Sequence, residues 1–137
     1  MSYQPRLLDY LEHMEEGLEV ATQALADVEE NVFVNEHASV RLIAFGVRAA
    51  ILQIGEAAIS IHKRYRAFED AHPEVEWAKI GDMRNFLAHE YFAVDYQLIW
   101  DAVKHFMPIL QAQLPALRSH AEKLEPPSSQ PAYRPKP

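Results

Sequence analysis

The chain has 137 residues, the size of one domain, with ordinary shares of hydrophobic (49%) and charged (24%) residues. It has no cysteine, which excludes a disulfide framework, a thiol nucleophile and a thiolate metal site. Thirteen Lys and Arg against twenty Asp and Glu give a net charge of -7, which counts against a broad nucleic-acid surface because phosphate contacts need cations.

A first helix is expected after Pro5. Leu7, Leu11, Met14, Leu18, Ala21, Leu25 and Val28 alternate steps of four and three, which lines them up on one helix face, and Gly17 lowers the propensity without breaking the stripe. Glu30 to Asn35 interrupts the pattern, and Asn35 is a candidate N-cap for the next helix. In that second helix, Val40, Ala44, Val47, Ile51, Ile54, Ala58, Ile61 and Tyr65 form a stripe. On the opposite side Leu42, Phe45, Ala49, Leu52, Glu56 and Ile59 form another. A helix that is apolar on two faces needs cover on both. The second cover is either another helix of the same chain or a partner chain. Glu56 within that stripe should be paired, with Arg84, Arg48 or the partner, because an unpaired buried charge is costly; the alternative is a solvated carboxylate on a thinner stripe.

Ala71 to Glu74 breaks the chain again, and a third helix carries Trp77, Ile80, Met83 and Leu87. A fourth is expected to start at the N-cap Asp95 and to run along Ile99, Val103, Phe106, Leu110, Leu114 and Leu117, kinked or broken at Pro108 and Pro115. Five of the nine prolines follow Leu124. The reading is therefore an all-α, antiparallel bundle of four main helices over residues 1–124, with a Pro-rich, disordered or polyproline-like tail over 125–137. No run approaches the roughly 18 unbroken apolar residues of a membrane span, and no basic-then-apolar leader opens the chain. A cytoplasmic protein without membrane attachment is expected.

Chemistry is sparse outside one segment. The seven histidines include no His-Glu-x-x-His pair, and there is no Gly-rich phosphate loop or Gly-x-Ser-x-Gly elbow. No metal and no cofactor is expected. The segment Met83 to Phe92 instead gathers Arg84, Asn85, His89 and Tyr91. Arg84 can fork two donors onto a phosphate, His89 can move a proton at neutral pH, and Asn85 can donate to a non-bridging oxygen or orient the ring. Metal-free RNA cleavage needs such parts: a base for the ribose 2′-OH, an acid for the leaving oxygen and a cation for the crowded phosphorane. Arg84 and His89 are five residues apart, about 140° around a regular helix. They converge only if the helix loosens near Ala88 or if two copies face each other across a dimer.

Arg84-x4-His89-x-Tyr91 resembles the RX4HXY motif of HepT-type toxins, in the HEPN superfamily of α-helical ribonucleases. The similarity extends to His72–Trp77, Ile80–Asn85, His89–Phe92, Val94-Asp95 with Trp100, and upstream to Ile54-Gly-Glu-Ala57, covering about residues 5 to 118. The resemblance implies a helical bundle that forms a homodimer with the two motifs in a cleft between protomers. It implies a metal-independent endoribonuclease, the toxin of a toxin–antitoxin pair, with RNA and not DNA as substrate. It further implies a minimal nucleotidyltransferase as antitoxin, silencing the toxin by transferring AMP to Tyr91. Carried over by position, Arg84 and His89 are catalytic and Tyr91 is the modification site, with Asn85 in the polar position common after the arginine; Asn85 and, from its place in the apolar stripe, Glu56 are read as auxiliary. The competing reading is a non-catalytic binding subunit of a nucleotidyltransferase complex.

Overall fold

A computed structural model of the chain describes residues 5–35, 38–89 and 95–125. Its regular structure is helical throughout, with no strand among the described residues. Helix α1 spans Leu7–Ala24, α2 Glu30–Val34, α3 Arg41–Arg64, α4 Arg66–Asp70, α5 Trp77–His89, α6 Tyr96–Asp101 and α7 Met107–Leu124. A 3-10 turn (Ala38–Val40) leads into α3, and a π-helical segment (Ala102–Phe106) joins α6 to α7. The four long units, α1, α3, α5 and α6–π–α7, are the expected antiparallel bundle.

The heptad-like stripes become the core. Leu7, Leu11, Met14, Leu18, Ala21 and Leu25 of the first stripe are all buried, as are Val40, Ala44, Val47, Ile51, Ile54, Ala58 and Ile61 of the second. Burying such side chains is worth about 1.5–3 kcal/mol each before entropy is counted. Antiparallel order is visible in the cross-helix bonds. Gln53 of α3 donates to the His13 carbonyl and to Glu16 of α1. Arg118 of α7 meets Glu12 and Glu15 of α1, while Lys104, at the other end, donates to the Leu25 carbonyl. Gly17 sits where α1 crosses α3: a Cβ there would lie 2.6 Å from Ile54 Cγ1 and 2.9 Å from the Ala50 carbonyl. The glycine that weakens the helix therefore lets two backbones approach.

Several local expectations are corrected. The first helix stops at Ala24, short of Val28. Glu30 to Asn35 is not a plain break, because α2 forms there and buries Phe33 against Tyr96 and Trp100. Asn35 caps the C-terminal end of α2, its Nδ2 donating to the Asn31 carbonyl, and does not start α3. Neither proline breaks the last helix. Pro108 falls in the first turn of α7, after the π segment, whose wider turn relieves the clash of its ring with the carbonyl four residues back. Pro115 is accommodated inside α7. Asp95 does cap α6, its side chain accepting from the Leu98 N–H at 3.1 Å.

The segment Ala38–Arg64 is long and apolar enough, by composition, to cross a membrane, with a mean hydropathy of 1.6 in its best window. Arg48, Gln53 and Glu56 interrupt it, so it holds no unbroken apolar run of about 18 residues. In the fold it is the helix against which both α1 and α5 pack, the place where a bundle concentrates apolar residues. At the other end of the domain, Glu125 accepts from the Leu7 and Leu8 backbone N–H groups at 2.9 and 3.0 Å, filling the orphan donors that open α1.

Candidate active site on the α3–α5 pair

Helix α5 carries the polar segment, and its seat on α3 is set by Gly55. A Cβ at Gly55 would overlap the Cβ of Arg84, so only glycine lets the two helices close at that point. The close approach brings the Arg84 guanidinium to Glu56. Nη2 of Arg84 pairs with Oε1 of Glu56, and Nη1 donates to Oδ1 of Asn85 at 3.0 Å. The Arg84 Nε is buried without a protein partner. With one hydrogen on each terminal nitrogen engaged, Arg84 keeps further N–H donors for an anion. The Arg84 side chain is 29% exposed and that of Glu56 56%, so the pair lies at the surface and solvent reaches it.

Three of the expected residues are thus together: Arg84, Asn85 and Glu56. Glu56 takes the pairing with Arg84, while Arg48 is used elsewhere. Its Nη2 donates to the Leu87 carbonyl at 2.8 Å, satisfying one of the last carbonyls of α5, and its Nε is buried without a partner. His89 is the last residue of α5 and is exposed. The helix stays regular to His89 and does not loosen near Ala88, so within one chain Arg84 and His89 keep the 140° offset of an α-helix. Asn85 and His89, four apart, do share a face. Asn85, bonded to Arg84 and one turn before His89 on the same face, lies between the two. Tyr91 lies outside the described residues.

The second apolar stripe of α3 divides along its length. Leu52 and Ile59 are half-buried beneath α5, the same-chain cover. Nearer the N-terminus, Leu42 is 85% and Phe45 62% exposed, with Phe86 of α5 also exposed.

Sequence spacing missed a histidine cluster. Nε2 of His72 lies 2.8 Å from Nδ1 of His120, and Nδ1 of His72 lies 2.8 Å from Glu74, with Phe68 packed on both rings. The hydrogen bond from His72 holds the Glu74 carboxyl below the usual carboxylate range. The partners come from the α4–α5 loop and α7, 48 residues apart, so no spacing rule brings them together. They clasp two elements and stand apart from the Arg84 assembly.

A family model described as Ribonuclease HepT-like matches residues 14–117. A candidate RNase of Methanocaldococcus jannaschii is 32% identical over 79% of this chain and 89% of its own length. A candidate ribonuclease HepT of Thermococcus cleftensis is 31% identical over 80% of this chain and 94% of its own. A candidate RNase of Caldanaerobacter subterraneus is 34% identical over 77% and 88% respectively. No solved structure gives a significant match.

Proposed function

Because the chain belongs to the HepT-like ribonuclease family, we propose that it is a metal-independent endoribonuclease acting at a cleft between two copies. The observation that carries this reading is the Arg84 guanidinium, held by Glu56 and Asn85 with donors to spare, on the helix that ends in His89. A guanidinium fixed in place loses little entropy when it meets a phosphate. In the reaction, His89 takes the proton of the ribose 2′-OH, the 2′-oxygen attacks phosphorus, and the bond to the 5′-oxygen breaks as that oxygen gains a proton. Arg84, held by Asn85 and Glu56, donates to the non-bridging oxygens, whose charge grows in the phosphorane. The products are a 2′,3′-cyclic phosphate and a 5′-hydroxyl. With Arg84 and His89 on different faces of one helix, the second copy of the motif supplies the other half of the acid–base pair.

The same reading makes the protein a cytoplasmic toxin whose antitoxin is a minimal nucleotidyltransferase. AMP on Tyr91, two residues beyond His89, would set a negative phosphate and a bulky base beside Arg84 and compete with the substrate.

Cleavage of RNA in EDTA by the purified chain, leaving cyclic phosphate ends, is the expected result. Arg84→Ala and His89→Ala should each lower the rate by at least a hundredfold, the usual weight of an electrostatic or acid–base group. Unchanged cleavage by His89→Ala overturns the proton-transfer role. A protein that is harmless on expression and inert to RNA is instead a binding subunit. Intact mass after co-expression with the nucleotidyltransferase should rise by AMP units, and Tyr91→Phe should abolish the gain.

A further inference from the structure

Beside the Arg84 assembly lies a cavity of about 320 Å³ between α3, α4 and α5, the small end of the range for ligand pockets. Its α5 wall is Trp77, Gly81, Asp82 and Asn85, and Ile59 and His62 face them from α3. Ala78, Asp82, Asn85 and His89 are spaced four, three and four, so they occupy one face of α5. The cavity lines that face as far as Asn85, one turn before His89, and Asn85 belongs to both the cavity and the Arg84 assembly.

Its polar groups have a defined sense. His62 is used: Nδ1 meets Glu69 at 2.9 Å and Nε2 meets Arg66 at 3.2 Å. Asn85 turns Oδ1 to Arg84, a group with donors only, so its Nδ2 amide remains to donate. Asp82 is exposed and has no hydrogen-bond or ion-pair partner among the described residues; its carboxylate only accepts. Along one face the wall thus offers a donor at position 85 and two acceptors at 82. A carboxylate there repels a phosphate, so the cavity suits a neutral group that presents N–H donors. The only standard base edge with a carbonyl beside two adjacent donors is that of guanine: O6, N1–H and N2–H2. Cytosine and adenine set one amino group beside an acceptor, and uracil sets a single N–H between two acceptors. Trp77 supplies the aromatic surface. Its indole is held in place by Nε1 donating to the His72 carbonyl at 3.0 Å. Single-stranded RNA is read in this way, with splayed bases packed on aromatic rings and bonded along their edges.

Resting on the ribonuclease reading above, we propose that this cavity receives a guanine base flanking the scissile phosphate, with Asp82 and Asn85 reading its edge and Trp77 packing against it. The site makes cleavage guanine-dependent and gives the Arg84–His89 chemistry a register on the strand.

The test uses the full chain and short 2′-O-methyl RNA oligonucleotides, which bind but cannot be cleaved. Replacing one guanine with inosine, which lacks the 2-amino group, should weaken binding about tenfold, as expected for losing part of a bidentate base contact. Asp82→Ala, which removes the acceptor, should erase the difference between guanine and inosine. Gly81→Leu should weaken guanine binding by filling the cavity. A Cβ at Gly81 meets only Ile59 Cγ1, at 3.7 Å, so this variant is expected to fold, with helical circular dichroism as the check. Equal binding of guanine and inosine at every position overturns the proposal, and so does discrimination that survives Asp82→Ala. Binding of 5′-GMP as tight as that of the oligonucleotide overturns the RNA assignment in favour of a free nucleotide. Discrimination that depends on Asp82, in a chain that cleaves nothing, sinks the ribonuclease reading and keeps the site. Cleavage indifferent to Asp82 sinks the site alone.

Discussion

Gly46 and Gly55 lie nine residues apart in α3, and the same change should have opposite effects at the two. A Cβ at Gly46 would touch nothing within 4 Å, so Gly46→Ala should stabilise the fold by about 0.8–1 kcal/mol through helix propensity alone. At Gly55 the new Cβ would overlap the Cβ of Arg84, an atom that cannot swing aside, so the backbone of α5 must move. Overpacking of that kind costs about 1–3 kcal/mol, more than the propensity gain. Denaturant melts should show Gly46→Ala above the parent and Gly55→Ala below it, and Gly55→Ala should also lose RNA cleavage because Arg84 is displaced. Both glycines were visible in the sequence as helix-weakening residues inside an apolar pattern. Their roles were not, since these depend on what stands across the helix. Glu56 was more legible: a carboxylate set in an apolar stripe needs a partner, and Arg84 was among those named. Its pairing with Arg84 is partly exposed, so Glu56→Gln should change stability by less than about 1 kcal/mol. Under the ribonuclease reading it should also tighten RNA binding, because Arg84 loses its counter-charge, and lower kcat, because the guanidinium loses its hold. A fall in KM together with a fall in kcat is the signature to look for in steady-state cleavage.

The long helices could be read from periodicity because each buries one stripe, and the buried positions of α1 and α3 match those stripes almost residue for residue. Short elements could not. In five residues α2 has no period to detect, and its reason for existing, Phe33 against Tyr96 and Trp100, is a contact across some 60 residues. The prolines misled for a related reason. The rule that proline breaks a helix assumes an α-helical preceding turn, and a π segment precedes Pro108. The tie between Glu125 and the start of α1 spans more of the chain still, 117 and 118 residues, and it makes a testable element. Glu125→Ala removes the acceptor of two backbone N–H groups and should cost about 0.5–2 kcal/mol, the range for losing a helix cap. The same end of the bundle should respond to alkali. Burial, and after it the charge of Glu125, raise the pKa of Tyr65 above its ordinary 10.0. A raised folded-state pKa means that the stability linked to the neutral phenol is intact below pH 10 and is lost as pH rises through the folded value. Urea titrations across that window should show a decline in the parent that Tyr65→Phe flattens.

For the whole molecule, the charge of -7 excluded a broad nucleic-acid surface, and that reasoning holds for the average exterior. It has no bearing on a cleft a few residues wide, where two copies of Arg84 and Arg48 would outweigh two of Glu56. The two-faced α3 posed the question of what covers its second stripe, and the fold answers for one half: α5 covers Leu52 and Ile59 and leaves Leu42 and Phe45 bare. Exposed aromatic and aliphatic side chains that continue a helix face up to the Glu56–Arg84 pair are what a second copy would bury. A symmetric contact there would also bring two motif helices together, the arrangement in which Arg84 of one copy and His89 of the other can serve one phosphate. A charge at the centre of that face tests the idea. Phe45 is 62% exposed in the single chain, so Phe45→Glu should leave the thermal melt of the monomer nearly unchanged. In a dimer it would bury two unpaired carboxylates, a cost of several kcal/mol, enough to shift the dimer constant by more than a hundredfold. Sedimentation equilibrium should find a dimer for the parent and a monomer for Phe45→Glu, and RNA cleavage should fall with the dimer. A monomeric variant that cleaves at the parental rate would show that one chain completes the site alone, and the second acid–base partner would then have to come from the Arg84 helix itself.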